Sequence, residues 1–230
     1  YTTNSVGKSP EAQVKAYIGP DTPQPPTDVK LAYDETLQKA TLTWTAPTLG
    51  ENAGQLKPEN ISYKVVTYPE MKEVADRVKE TSLTVDLPSD QPLAAYKYAV
   101  FAYNGDMKGK GRVSNKVVVG RPMEAPYSQD FSTAQKFDIC EVVNVNADAN
   151  TWIKEGKYAK YVYNFYNKAD DWLLTPPVKL KGGQDYTFSI TARKGIAKYR
   201  EKIMLGYGES TDVTTFKSMS DSINITSIED

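Results

Sequence analysis

Apolar and polar residues alternate through much of the first half of this chain. Val29, Leu31 and Tyr33 fall on one face of an extended segment, with Lys30 and Ala32 on the other. Ala40-Thr-Leu42-Thr-Trp44 repeats the pattern and stops at Ala46-Pro47. Ile61 to Tyr68, Ser82 to Leu87 and Tyr96 to Asn104 continue it, and Lys116-Val-Val-Val119 closes it. A period of two sends successive side chains to opposite faces of a strand. About seven such short strands, bounded by turn residues and without helical periodicity, predict a β-sandwich.

A second pattern lies over the first. Tyr1 to Lys8, then Val14-Lys-Ala-Tyr-Ile-Gly19 and Pro20, read as a strand end, a turn rich in Gly and Lys, and a closing strand. Tyr103 to Gly111, then Ser114-Asn-Lys-Val-Val-Val-Gly120 and Arg121-Pro122, say the same thing again. A repeat at domain length predicts units joined in series. Pro20, Pro23, Pro25 and Pro26 form a stiff spacer, because proline fixes φ. The boundaries expected are 1–19 for the terminal strands of a preceding unit, 20–122 for a whole one, and 123–230 for a unit of another kind.

Past Pro122 the alternation returns in new surroundings. Gln184-Asp-Tyr186-Thr-Phe188-Ser-Ile190-Thr-Ala192 and Glu201 to Gly208 read as strands, and Tyr158 to Tyr166 is dense in aromatics. There Tyr161, Tyr163 and Phe165 fall on one face at period two, with Asn164 and Tyr166 on the other.

The region 20–122 resembles a fibronectin type III domain. Pro25-Pro26 stands before the first strand and Trp44 near the end of the second; Leu87-Pro88 precedes the Tyr96-x-Tyr98-x-Val100-x-Ala102-x-Asn104 run. The resemblance implies an immunoglobulin-like sandwich, with Trp44 in the core and the Tyr96 hydroxyl bonded back to the backbone near Leu87 as a tyrosine corner. Residues 123–230 resemble the jelly-roll modules called cleaved-adhesin or choice-of-anchor domains of Bacteroidetes surface proteins, which share a fold with MAM domains. Asp130-Phe131, the Asn/Asp loop before Trp152, Asp171-Trp172-Leu-Leu-Thr-Pro-Pro and Leu205-Gly-Tyr-Gly carry that resemblance. A MAM domain proper has paired cysteines, and this region holds only Cys140. Such modules run longer than 123–230, so the jelly roll is expected to be partial. The fold class expected is all-β, a type III sandwich plus a partial jelly-roll sandwich.

Composition agrees and removes several chemistries. Sixteen Tyr against six Phe is a β composition, and the net charge of -1 gives no field that would gather nucleic acid. The absence of His removes Ser-His-Asp and Cys-His catalysis and His-ligated zinc. Cys140 stands alone, so no intrachain disulfide forms, and a small buried hydrophobe is expected there. No run of eighteen apolar residues would insert in a membrane.

Candidate chemistry sits in the second unit. Asn144, Asn146, Asp148 and Asn150 place oxygen-bearing side chains at every second residue. That donor set suits a hard cation such as Ca²⁺, which the resembled adhesin modules bind, and Asp130 and Asp171 are expected to contribute from neighbouring strand ends. The competing expectation is an Asx-turn loop whose side chains cap backbone N–H groups. Tyr166 with Asn164 is the candidate sugar-stacking pair. The basic turn from Arg193 to Lys202 reads as a solvated hairpin tip, and Asn104-Gly105-Asp106 as a tight turn.

The expected function is non-enzymatic: adhesion, binding and spacer modules of an exported multidomain bacterial surface protein, located at the cell surface or outside the cell. The jelly roll is the candidate carbohydrate or protein binder, its partner a glycan or a host or surface protein. The alternative is a pair of ancillary modules of a secreted glycoside hydrolase or peptidase whose catalytic domain lies elsewhere. A catalytic jelly roll would need two carboxylates about 5 to 10 Å apart in a cleft.

Overall fold

A computed structural model describes residues 2–227. The chain divides into two compact units, residues 1–121 and 122–230. The described residues are all-β apart from one short helix and two 3₁₀ turns.

The first unit begins with a small hairpin, β1 (Thr3–Asn4) and β2 (Gly7–Lys8). The main body holds β3 (Thr27–Asp34), β4 (Lys39–Thr45), β5 (Ile61–Thr67), β6 (Glu73–Val78), β7 (Ser82–Asp86), β8 (Ala94–Tyr96), β9 (Tyr98–Asn104), β10 (Met107–Val113) and β11 (Val117–Val119). One sheet runs β3-β4-β7 and the other β10-β9-β5-β6, with β11 paired to β8. All these pairings are antiparallel. A three-stranded sheet facing a four-stranded one, with the chain crossing from one to the other after β4 and back after β6, is an immunoglobulin-like sandwich.

The alternation explains the layers. Leu31, Leu42 and Trp44 point inward from one sheet, and Tyr63, Val65 and Val100 from the other; all are buried. Trp44 meets Tyr63 edge to face at 5.2 Å between ring centroids, the geometry aromatic pairs favour. The core role expected of Trp44 is therefore present.

Three details differ from the pattern-based expectation. The hydroxyl that donates to the Leu87 carbonyl is that of Tyr33, at 3.1 Å, whereas the resemblance implied Tyr96; Tyr96 packs half-buried against the core instead. Glu73–Val78 is an edge strand whose polar composition hid it. Met107–Val113, which read as a turn, is a full strand. Its glycines serve close approach: a Cβ on Gly109 would stand 2.2 Å from the Pro23 carbonyl oxygen, and one on Gly111 would stand 2.6 Å from the Phe101 ring. Where β10 gives way to β11, the Asn115 amide takes the place of a strand residue. Its Oδ1 accepts from the Leu31 N–H at 2.7 Å and its Nδ2 donates to the Leu31 carbonyl at 2.8 Å.

Asp21 anchors the proline-rich segment. It is 1% exposed, and its carboxylate accepts from the Asn52 and Gly54 N–H groups and from the Asn52 amide at 2.9–3.0 Å. Burial opposes the charge, but those donors together with the Thr22 N–H hold its pKa below the usual carboxylate range.

The second unit contains β12 (Met123–Glu124), α1 (Ala134–Asp138), β13 (Glu141–Val143), β14 (Trp152–Glu155), β15 (Tyr158–Tyr161), β16 (Trp172–Leu174), β17 (Val178–Lys179), β18 (Glu201–Ile203), β19 (Gly206–Tyr207), β20 (Lys217–Ser218) and β21 (Ile223–Ile225). They pair as β12-β17, β13-β16, β14-β15, β18-β21 and β19-β20, each a two-stranded sheet. α1 is capped at its start by Thr133, whose hydroxyl accepts from the Lys136 N–H. Cys140 and Leu174 are buried, and Cys140 fills the small-hydrophobe role expected of it. Beside it, burial first and then the charges of Cys140 and Asp130 push the Tyr127 hydroxyl up to about 12. Residues 184–192, expected as a strand, join no sheet among the described residues, and 184–191 are exposed. The expected strand 201–208 is divided between β18 and β19.

Candidate functional site

The antiparallel register of β13 and β16 pairs Val143 with Trp172. The residue after the one strand, Asn144, and the residue before the other, Asp171, therefore emerge at the same end of the ladder. β14 begins at Trp152, whose indole N–H donates to the Asp171 carbonyl at 3.2 Å. That contact brings Thr151 to the same place. Three strand ends thus converge under the loop 144–150.

The loop is built by its own side chains. Asn146 Oδ1 accepts from the Asp148 N–H at 2.9 Å, and Asp148 Oδ1 from the Asn150 N–H at 2.7 Å. The Asn144 amide donates to the Asp148 carbonyl at 2.7 Å. Asx turns of this kind follow from short side chains that bond the backbone two residues on. Asp148 Oδ2 accepts from the amides of Asn164 at 2.7 Å and Asn167 at 3.0 Å. Asn150 Nδ2 donates to the Tyr163 carbonyl, and Asn146 Nδ2 to that of Lys168. The Asn150 N–H and the Asn167 amide, with Asn164 and Asn146, hold the Asp148 pKa below its ordinary value against desolvation.

Asp171 is different. Both its carboxylate oxygens are buried without a hydrogen-bond partner, as are Asn144 Oδ1 and Thr151 Oγ1. Burial raises its pKa, and the charges of Asp148 and Asp170 raise it further; the nearby Tyr161 hydroxyl and Val145 N–H pull the other way without completing a bond. Buried oxygens with no donor are uncommon and costly. Two of the four belong to Asp171 itself, and among the described residues no group of three or more His, Cys, Asp or Glu side chains is placed to hold a metal ion.

The structure brings Asp148 and Asp171 within each other's electrostatic reach, with Asn146 and Asn150 in the same loop. It ties Asp130 to α1 instead. The Asp130 carboxylate bonds Lys136 Nζ at 2.8 and 2.9 Å and the Ser132 N–H at 2.9 Å, and the lysine contact first, then Ser132, depresses its pKa strongly. Thr151 and Asn167 went unmarked in the sequence. A lone Thr before a strand and an Asn nineteen residues from its carboxylate partner leave no local pattern.

The aromatic candidates also moved. β15 ends at Tyr161, so the two-face reading stops there. Beyond it Asn164 is engaged on both sides, donating to Asp148 and accepting from the Tyr166 N–H at 2.9 Å. Tyr163, Phe165 and Tyr166 form an edge-to-face chain with centroids 6.2 and 5.7 Å apart. They are 63%, 78% and 93% exposed. In the basic turn, the Arg193 guanidinium lies over the Tyr158 ring at 5.3 Å and Lys194 Nζ donates to the carbonyls of Ala197 and Tyr199.

No family model matches this chain, and no curated protein matches it. Among solved structures, one described as FN3tt mut is similar at 15% identity, covering 43% of this chain and 98% of its own, with a TM-score of 0.32. A Fn3-like protein from Clostridium thermocellum is 20% identical over 44% of this chain and 96% of its own, with a TM-score of 0.30. The twitchin kinase region from C. elegans is 17% identical over 43% of this chain and 17% of its own, with a TM-score of 0.31. The immunoglobulin-like fold of the first unit rests on the strand order and core described above.

Proposed function

We propose that this chain consists of two non-catalytic β modules of an exported multidomain surface protein, the first a spacer and the second a cation-organised jelly-roll binder of glycan or protein. The observation that carries the second half is that the side-chain oxygens of Asp171, Asn144 and Thr151 are buried without a hydrogen-bond donor. Ca²⁺ at this point would be held by Asp171, Asn144 and Thr151, with Asp148 turning toward it from its present amide partners. A bound cation would offset the cost of burying the Asp171 charge and fix the loop. The loop holds residues 163–168 through Asn164, Asn167 and the Tyr163 and Lys168 carbonyls. The exposed Tyr163-Phe165-Tyr166 chain is therefore oriented by the same centre. Exposed rings of this kind stack on the apolar face of a sugar or pack into a protein partner.

The first half is supported by a filled core and a clamped linker, features of a bead that transmits position. The test is Ca²⁺ titration of the whole chain by calorimetry and thermal melting, followed by a glycan array with and without Ca²⁺. The expected result is a Ca²⁺-dependent rise in the melting temperature of the second unit that is lost in Asp171→Asn, together with binding that Tyr166→Ala removes. An unchanged melt in Ca²⁺ and EDTA overturns the cation centre. Absence of glycan binding moves the partner to protein.

A further inference from the structure

Between β4 and β5 the chain folds a tight loop back on itself. Leu49 and Gln55 face each other in an antiparallel bridge, the Gly50 N–H donates to the Gly54 carbonyl at 2.9 Å, and the Ala53 N–H donates to the Gly50 carbonyl at 3.0 Å. Ala53 has φ +60°, in the left-handed region, between Asn52 and Gly54. Turns of this kind aim neighbouring N–H groups into one concavity, which suits an anion. Here the N–H groups of Asn52 and Gly54 converge on a single oxygen, Asp21 Oδ2, at 2.9 and 3.0 Å. The Asn52 amide donates to the other, Oδ1, at 3.0 Å.

The loop is shaped around this occupant. Gly50 and Gly54 have no positive φ, so the backbone does not demand glycine at either position. What each leaves out is a methyl where the carboxylate lies. A Cβ on Gly50 would stand 2.2 Å from Asp21 Cγ, and one on Gly54 would stand 2.9 Å from Asp21 Oδ2. The bonds that close the loop run between its own backbone atoms, so its shape does not depend on residue 21. The other ties of the proline-rich segment are neutral. The Glu51 N–H donates to the Thr22 carbonyl at 2.8 Å, the Gln24 N–H to the Leu49 carbonyl at 3.1 Å, and the Asn104 amide to the Asp21 carbonyl at 3.0 Å. Hydrogen bonds to an ionised acceptor are stronger than neutral ones, so the carboxylate is the firmest of these ties.

We propose that the loop 49–55 is a carboxylate-binding site whose resident ligand is the Asp21 side chain, and that residues 20–24 are a strap latched to the sandwich through it. The ligand class is a carboxylate monoanion: two donors meet one oxygen and a third meets the other. Because the ligand is tethered, its effective concentration keeps the site filled. Cutting the carboxylate from its own backbone should therefore leave a site that a free carboxylate can enter. The latch belongs to the first unit and stands apart from the cation and glycan reading of the second.

The test separates the carboxylate from its tether. Formate is the probe, a carboxylate on no chain, with chloride at equal ionic strength as the control. In the full chain, Asp21→Ala is expected to lower the melting temperature of the first unit. Formate should restore several degrees of that loss over chloride, rising with its concentration as binding to the folded state requires. The Asn52 and Gly54 N–H groups are expected to exchange hydrogen faster in this variant and to slow again in formate. Adding Gly50→Ala places a methyl where the carboxylate lay and is expected to abolish both responses. The parent, whose site is filled, should respond alike to the two salts. Equal responses of Asp21→Ala to formate and chloride overturn the proposal, as does a formate gain that survives Gly50→Ala. If Asp21→Ala does not fold, Gly50→Ala alone decides in the otherwise unchanged chain. Displacing the carboxylate should speed exchange at Asn52 and Gly54, and exchange as slow as in the parent overturns the latch.

Discussion

Asp171 and Asp21 are both acidic side chains withdrawn from water, and their surroundings send them in opposite directions. Asp21 has three donors at 2.9–3.0 Å, while the Asp171 oxygens have none. A carboxyl with a lowered folded pKa adds stability that is present above the ordinary carboxylate range and disappears as pH falls through the folded value. One with a raised folded pKa does the reverse, because the folded state holds its proton longer. The Asp171 contribution is thus complete in acid and is lost as pH rises from the ordinary carboxylate range through its folded value. Two outcomes follow. In EDTA at neutral pH, Asp171→Asn should raise the melting temperature of the second unit by several degrees, and differential scanning calorimetry reads this directly. With Ca²⁺ at a hundred times its Kd, the parent should gain about 2.7 kcal/mol that the variant lacks. For Asp21→Ala, the first unit should melt several degrees lower at pH 7, and the difference should shrink in acid. Equal differences at pH 3 and pH 7 would show that the Asp21 charge contributes nothing.

At the scale of the strand, packing decides the magnitudes. Leu42 is 1% exposed between the sheets, so Leu42→Ala should destabilise the first unit by about 2–5 kcal/mol, measured by urea unfolding. Gly109→Ala tests a different effect. The added methyl meets the Pro23 carbonyl, an atom of the clamped linker, so either β10 or that linker must shift. A loss of several degrees is expected although no buried contact is removed; an unchanged melt would mean that the linker yields at no cost. Alternation in the sequence located β3, β4, β5, β7 and β9, because their inward residues form one apolar stripe each. It missed β6 and β10, whose stripes are thin and whose place is fixed by pairing to neighbours already in the sheet. Beyond β15 the opposite error arose: the aromatic alternation suggested a longer strand, but Asn164 and Asn167 are drawn to Asp148 and the chain leaves the ladder.

Over the whole molecule, burial is uneven. Among the described residues the buried apolar cluster lies in the first unit, while Tyr186, Phe188 and Ile190 of the second are 42%, 50% and 46% exposed. Regions with few buried apolar contacts open first. Limited proteolysis should therefore cut within 184–200 before it cuts the first sandwich, and hydrogen exchange should be slowest in β5 and β9. Early cleavage in the first sandwich would contradict this ordering.

The sequence by itself determined the all-β class and the inward-facing stripes of the first sandwich, because period-two alternation and turn residues are local consequences of strand geometry. Only the tertiary structure decided that Tyr33 reaches Leu87, that Asp130 belongs to Lys136, and that the side-chain oxygens of Asp171, Asn144 and Thr151 are buried without a hydrogen-bond partner. Each of these depends on which strand ends meet, and pairing register joins residues too far apart in the chain for any local pattern to record.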